Sequence, residues 1–126
     1  MGIQLNWLNS DERVLVLTYE GQWSWDEMYA VADQAAALTV QKPYIVPRII
    51  DFSKSAPPPL QSFVNARNVL NSLPSNTGTI YMVGGSQLIA ILVSTFSKTY
   101  PSLAKHLVMA SSYEQAIEMI NRREAV

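Results

Sequence analysis

The chain has 126 residues, 48% hydrophobic and 15% charged, which fits one domain with a single core and excludes a disordered chain. With no cysteine, disulfides, thiolate metal sites and cysteine nucleophiles are excluded too. The net charge of −1 hides a split: residues 1–51 carry seven acids and three bases, residues 52–113 carry four bases (Lys54, Arg67, Lys98, Lys105) and no Asp or Glu, and residues 114–126 carry three acids and two bases.

Ile3, Leu5 and Trp7 alternate with polar neighbours and predict a half-buried strand. Asn9-Ser10-Asp11-Glu12 is a polar turn, and Val14–Tyr19 completes a hairpin that Gly21 ends. Ser24-Trp25-Asp26-Glu27 has the form of a capping box, so a helix is predicted from there to about Leu38. Lys42-Pro43 introduces a strand over Tyr44–Phe52, in which Pro47 removes one ladder donor and predicts an edge position or a bulge. Ser53–Pro59 reads as a loop whose three prolines lead into the first turn of a second helix. That helix carries Leu60, Phe63, Val64, Leu70 and Leu73 on one face and ends at Pro74–Gly78. Thr79–Val83 is a short apolar strand, and Gly84-Gly85-Ser86 turns it into a third helix, about Ser86–Thr99. A helical turn follows at Pro101, then a last strand at His106–Ala110. A final helix has Ser111 and Ser112 competing as its cap, each with Glu114 or Gln115 three residues on.

The predicted fold is a single α/β domain over residues 1–126, with about five strands, about four helices and the order β-β-α-β-α-β-α-β-α. Repeated β-α units predict a mostly parallel sheet, with the first strand as its antiparallel member. No basic n-region precedes an apolar run, and the most apolar stretch, from Leu88, is about half the ~20 residues that span a bilayer. A cytoplasmic protein without stable membrane insertion is the expectation.

Asp51 and Ser53 fall where a parallel strand ends, the edge at which α/β folds bind ligands; the competing reading is local turn chemistry with nearby amides. Gly84-Gly85-Ser86 opens a helix whose free amides suit an anion, or simply makes a tight turn with Ser86 as cap. It matches neither nucleotide-binding glycine fingerprint. Both loops are expected on one sheet edge. The third helix is apolar on more than one face, leaving Leu88 and Leu92 for a dimer interface, an apolar cleft against the second helix, or cover by Tyr100, Leu103 and the last helix. Trp23 and Trp25 are read as a helix staple and a core residue rather than an aromatic binding wall. His106 is the one histidine, with no partner residue spaced for a metal or triad. The few scattered bases argue against nucleic acid.

The element order, together with Ile49-Ile50-Asp51-Phe52-Ser53, resembles the STAS domains, the sulphate-transporter and anti-sigma-factor-antagonist family with its stand-alone relatives. In the signalling members an Asp-Ser-Ser-Gly motif follows and its first serine is phosphorylated. Here the following residues are Lys54-Ser55-Ala56-Pro57-Pro58-Pro59, so only Asp51 and Ser53 match and the phospho-switch does not carry over. The resemblance is to the divergent stand-alone members, some of them similar to lipid-binding folds.

The resulting expectation is a non-enzymatic regulatory domain, without cofactor or metal, that contacts another protein or a second copy of itself. Its expected partner-binding residues are Asp51, Ser53, Ser55, Gly84, Gly85, Ser86, Leu88 and Leu92. In a dimer, the acidic first half of one copy would face the basic middle of the other. The alternative is a carrier or sensor of a small apolar or lipid-like ligand between the second and third helices. An enzyme would have to rely on Asp51 and His106.

Overall fold

A computed structural model describes residues 2–124. Five strands form one sheet in the order β1-β2-β3-β4-β5. They are β1 (Ile3–Trp7), β2 (Leu15–Gly21), β3 (Val46–Ser55), β4 (Thr77–Val83) and β5 (Leu107–Ala110). β1 pairs antiparallel with β2, and every later pairing is parallel. The helices are α1 (Trp25–Val40), α2 (Ser62–Asn71), α3 (Gln87–Thr99), the short α4 (Pro101–Ala104) and α5 (Tyr113–Glu124). The predicted order is therefore the observed one, with the turn at Pro101 counting as a fifth helix.

Alternation along the strands assigns the two faces. Leu15, Leu17, Tyr19 and Val46 pack with Met28, Val31 and Ala35 of α1. Val14, Val16, Ile49, Tyr81 and Val83 pack with Ala116 and Ile120 of α5. Right-handed crossovers place α1, α2 and α3 on the first face, and α5, following the last strand, crosses to the second.

Pro47 is accommodated by a bulge and not by an edge position. β3 is the central strand, and its register with β4 shifts between Val46 and Arg48. β3 also runs three residues past the predicted end. Glu20 and Gly21 pair with Lys54 and Ser55 beyond an irregularity in β2, and the Ala56 amide donates to the Gly21 carbonyl at 2.9 Å. Local turn propensity in Ser53-Lys54-Ser55 yields to this pairing. Gly21 closes β2 with φ +58°, a left-handed conformation that glycine adopts without strain.

Caps set the helix starts. The Ser24 hydroxyl accepts the Glu27 amide at 3.1 Å, while the Glu27 carboxylate accepts the Ile3 amide, tying α1 to β1. Ser112 wins the competition at α5: its hydroxyl accepts the Gln115 amide at 3.0 Å, and Gln115 Oε1 accepts the Ser111 amide. α2 starts later than its prolines imply, behind Gln61 at φ +68°, and its cap makes no side-chain hydrogen bond. No α2 residue is fully buried. Among the described residues no helix is long and apolar enough to cross a membrane.

Candidate functional site: an apolar cavity under the second helix

Helices α1, α2 and α3 do not close over the middle of the sheet. Ile50, Phe52 and Leu107 lie on central and edge strands facing the helices, yet they are only half-buried. Above them are two adjoining compartments of about 130 Å³ each. Both are lined by Tyr19, Met28, Phe52, Ala66, Met82 and Leu107. The first opens between α2 and α3, against Phe63, Leu92, Val93 and Phe96. The second runs under α2 past Ile50, Val69, Leu70 and Leu73 to Arg48. Phe63, Ala66 and Leu70 recur at helical spacing, so α2 turns one apolar stripe towards the sheet, and Leu73 follows just past its end.

An aromatic wall closes one end. Tyr19 meets Trp23 edge-on at 4.9 Å, Trp23 meets Trp25 edge-on at 4.9 Å, and Tyr19 lies 4.7 Å from Phe52. Each indole N–H is held: Trp23 Nε1 donates to Ser55 Oγ at 2.9 Å and Trp25 Nε1 to the Leu60 carbonyl at 2.7 Å. Burial, and then the Glu27 carboxylate, push the Tyr19 phenol above its ordinary value, so it serves as a neutral wall. Trp23 and Trp25 thus do more than staple and fill: they face the cavity. Replacing Ser55 with alanine is expected to cost about 1 kcal/mol in urea denaturation, because the buried Trp23 N–H loses its acceptor.

α2 is attached at its rim by polar contacts. The Tyr29 hydroxyl donates to Asn65 Oδ1 at 2.6 Å and accepts from Asn68 Nδ2 at 3.1 Å, and the Trp25–Leu60 bond fixes the preceding loop. Apolar contacts add to these bonds: Phe63 meets Phe96 edge-on at 5.7 Å and Val69 packs against the core.

Arg48 is the charged exception in the lining. It is 3% exposed. Its Nη2 donates to Thr39 Oγ1 at 3.3 Å, and its Nε has no hydrogen-bond partner. No carboxylate among the described residues lines either compartment. Burial lowers the Arg48 pKa to about 10, which leaves it cationic at neutral pH. Sequence reasoning passed over Arg48, although its parity with Val46, Ile50 and Phe52 places it on the helix-covered face.

The predicted site residues separate. Asp51 is level with Val83 in the β3–β4 register, and a Cβ on Gly84 would lie 2.3 Å from Ser53 Oγ, so the two loops do share one sheet edge. There Asp51 Oδ1 accepts the Ser53 amide at 2.9 Å, a local side-chain-to-backbone bond within β3. Gly84 and Gly85 have φ +68° and +91°, and Ser86 sits at the α3 N-cap without a side-chain cap bond. Ser55 braces the aromatic wall, Leu92 lines the cavity, and Leu88 points outward at 45% exposure. Asp51 and His106 do not meet. His106 precedes β5 while Asp51 is level with Ala110 at its far end, about 13 Å along the strand direction. His106 instead lines a hollow at the opposite end of the sheet with Thr79 and Arg123. Among the described residues no group of three or more His, Asp or Glu could hold a metal.

The sequence matches no protein-family model and no curated protein. Among solved structures, the fold is similar to the anti-sigma factor antagonist SpoIIAA in its unphosphorylated form, with a TM-score of 0.65. The match covers 94% of this chain and 96% of that one at 13% identity. At that identity the likeness is one of fold: the chain has the STAS-like α/β fold that its element order and its Asp51-Phe52-Ser53 strand end resemble.

Proposed function

We propose that this protein is a non-enzymatic STAS-like domain that binds a small apolar molecule in the cavity beneath α2. The observation that carries this reading is an apolar space over the centre of the sheet, where a packed core is the rule. An apolar cavity of about 150 Å³ takes a small apolar ligand, and each compartment approaches that size, with Arg48 as the one charged group in the lining of the two. The first compartment opens between α2 and α3, beside Phe63, Leu92 and Phe96, and this gap is the way in.

Native mass spectrometry of freshly purified protein tests the reading. A co-purifying hydrophobic adduct is expected on the wild type. It should be lost in Ala66→Phe, which puts a ring into the space both compartments share, with the fold retained by circular dichroism. An adduct that persists in Ala66→Phe places the ligand elsewhere.

A second reading is favoured by Leu88 and Ile91, 45% and 55% exposed on the outer side of α3. Such side chains suit a protein contact, and the structural neighbour SpoIIAA is an antagonist of another protein. A dimer mass without any adduct in the same experiment supports this protein-interaction reading, with Asp51, Ser53, Gly84, Gly85 and Ser86 on the adjoining edge.

A further inference from the structure

The cavity ends on a cation that has no carboxylate partner among the described residues. Arg48 has five N–H donors but is given one long bond, to Thr39 Oγ1 at 3.3 Å. That hydroxyl already donates to the Ala35 carbonyl at 2.7 Å. The C-terminal turn of α1 lies close by and supplies partial negative charge, about half a unit, against the full charge of the guanidinium. An isolated buried charge is costly, and proteins otherwise pair it. A planar guanidinium binds a carboxylate through two parallel N–H···O bonds.

The rest of the cavity is suited to the remainder of such a molecule. From Arg48 the second compartment passes Ile50, Val69 and Leu70 and joins the first at Phe52 and Ala66, which ends on Trp23 and Trp25. A cavity of about 150 Å³ takes one benzene, so two compartments near that size take a chain on the order of ten carbons. α2, β4, α3 and β5 all come from the run of residues 52–113, which contains no Asp or Glu, so these walls bring no carboxylate of their own to Arg48. A neutral apolar molecule would fill the same space but leave the guanidinium unpaired.

Resting on the proposed ligand site, we infer that its occupant is a medium-chain carboxylic acid, its carboxylate paired with Arg48 and its chain lying between the sheet and α2 towards Trp23 and Trp25. The exposed Leu60 and Val64 of the α2 region would then border the route by which the chain enters.

Titration of the wild type and Arg48→Met with decanoate and with decanol, by calorimetry and tryptophan emission, tests the assignment. Decanoate is expected to bind the wild type at least about tenfold more tightly than decanol, the effect of one charge-assisted pair. Arg48→Met should remove that preference, weakening decanoate binding by about tenfold more than it changes decanol binding. Equal binding of the two probes to the wild type, or decanoate binding that Arg48→Met does not weaken, overturns the carboxylate assignment while the apolar site stands. Failure of both probes to bind the wild type overturns the site as well. If Arg48→Met does not fold, the comparison of the two probes on the wild type decides alone.

Discussion

Replacing Ile49 with alanine is expected to destabilise the protein by about 4 kcal/mol, and replacing its neighbour Ile50 by only about 1 to 2 kcal/mol. The two residues are adjacent in β3 and point to opposite faces. Ile49 has no exposure and packs between strands β2 and β4 and helix α5, among Val16, Tyr81, Val83 and Ala116. Truncation there removes contacts on every side and leaves a void that the flanking strands cannot collapse into. Ile50 faces the second compartment and is already half-buried. It lacks partner atoms over part of its surface, so truncation removes fewer contacts and only enlarges an existing space. Urea unfolding of the two variants measures the difference. If Ile50→Ala costs as much as Ile49→Ala, the helix-covered face is packed in solution and the cavity does not persist.

Arg48→Met is expected to raise stability by about 1 to 2 kcal/mol at neutral pH, the reverse of the usual effect of a core substitution. The lowered pKa gives the sign. In the folded protein the charged form of Arg48 is disfavoured, so its burial opposes folding whenever the group is charged, throughout the range below pH ~10. The penalty fades only as pH rises through about 10 towards the ordinary arginine range. A drop of that size corresponds to roughly 3 kcal/mol; loss of the Thr39 bond and the α1 dipole contact subtracts from the gain. Methionine follows the same path through the lining without a charge. The stability gap between variant and wild type should therefore be largest near neutrality and narrow as pH rises through about 10. A variant less stable than the wild type at pH 7 would show that the guanidinium is well satisfied in the unliganded protein. The expected gain also fits a functional residue, because groups kept for binding commonly cost stability.

Much of this architecture was legible in the residues. Alternation in Ile3–Trp7, the Ser24–Glu27 cap, the glycines at 84 and 85 and the apolar β strands mark element after element, because each depends on neighbours within a few positions. The β-α alternation then implies a mostly parallel sheet through the handedness of crossovers. The end of β3 with Asp51 and Ser53, and the Gly84 turn, could be placed on one edge for the same reason. The space between the second and third helices was also anticipated, as one outcome for a third helix too apolar for a single buried face.

Other features depended on distance in space. Pro47 fits an edge strand or a bulge equally well until β4 is known to lie beside β3. Ser53-Lys54-Ser55 reads as loop until Glu20 and Gly21 pair with it. Trp23 and Trp25 read as packing until Tyr19 and Phe52, brought from β2 and β3, make them one wall of a cavity.

By itself, the sequence determined the order of elements and the Ser24 cap of the first helix, since periodicity and turn chemistry are local. It also determined that no acid lies between residues 52 and 113. Only the tertiary structure decided that an apolar space is left beneath α2, and that Arg48 ends buried with no carboxylate beside it among the described residues. How closely a helix approaches a sheet, and which charges meet, is set by packing and pairing among residues far apart in the chain.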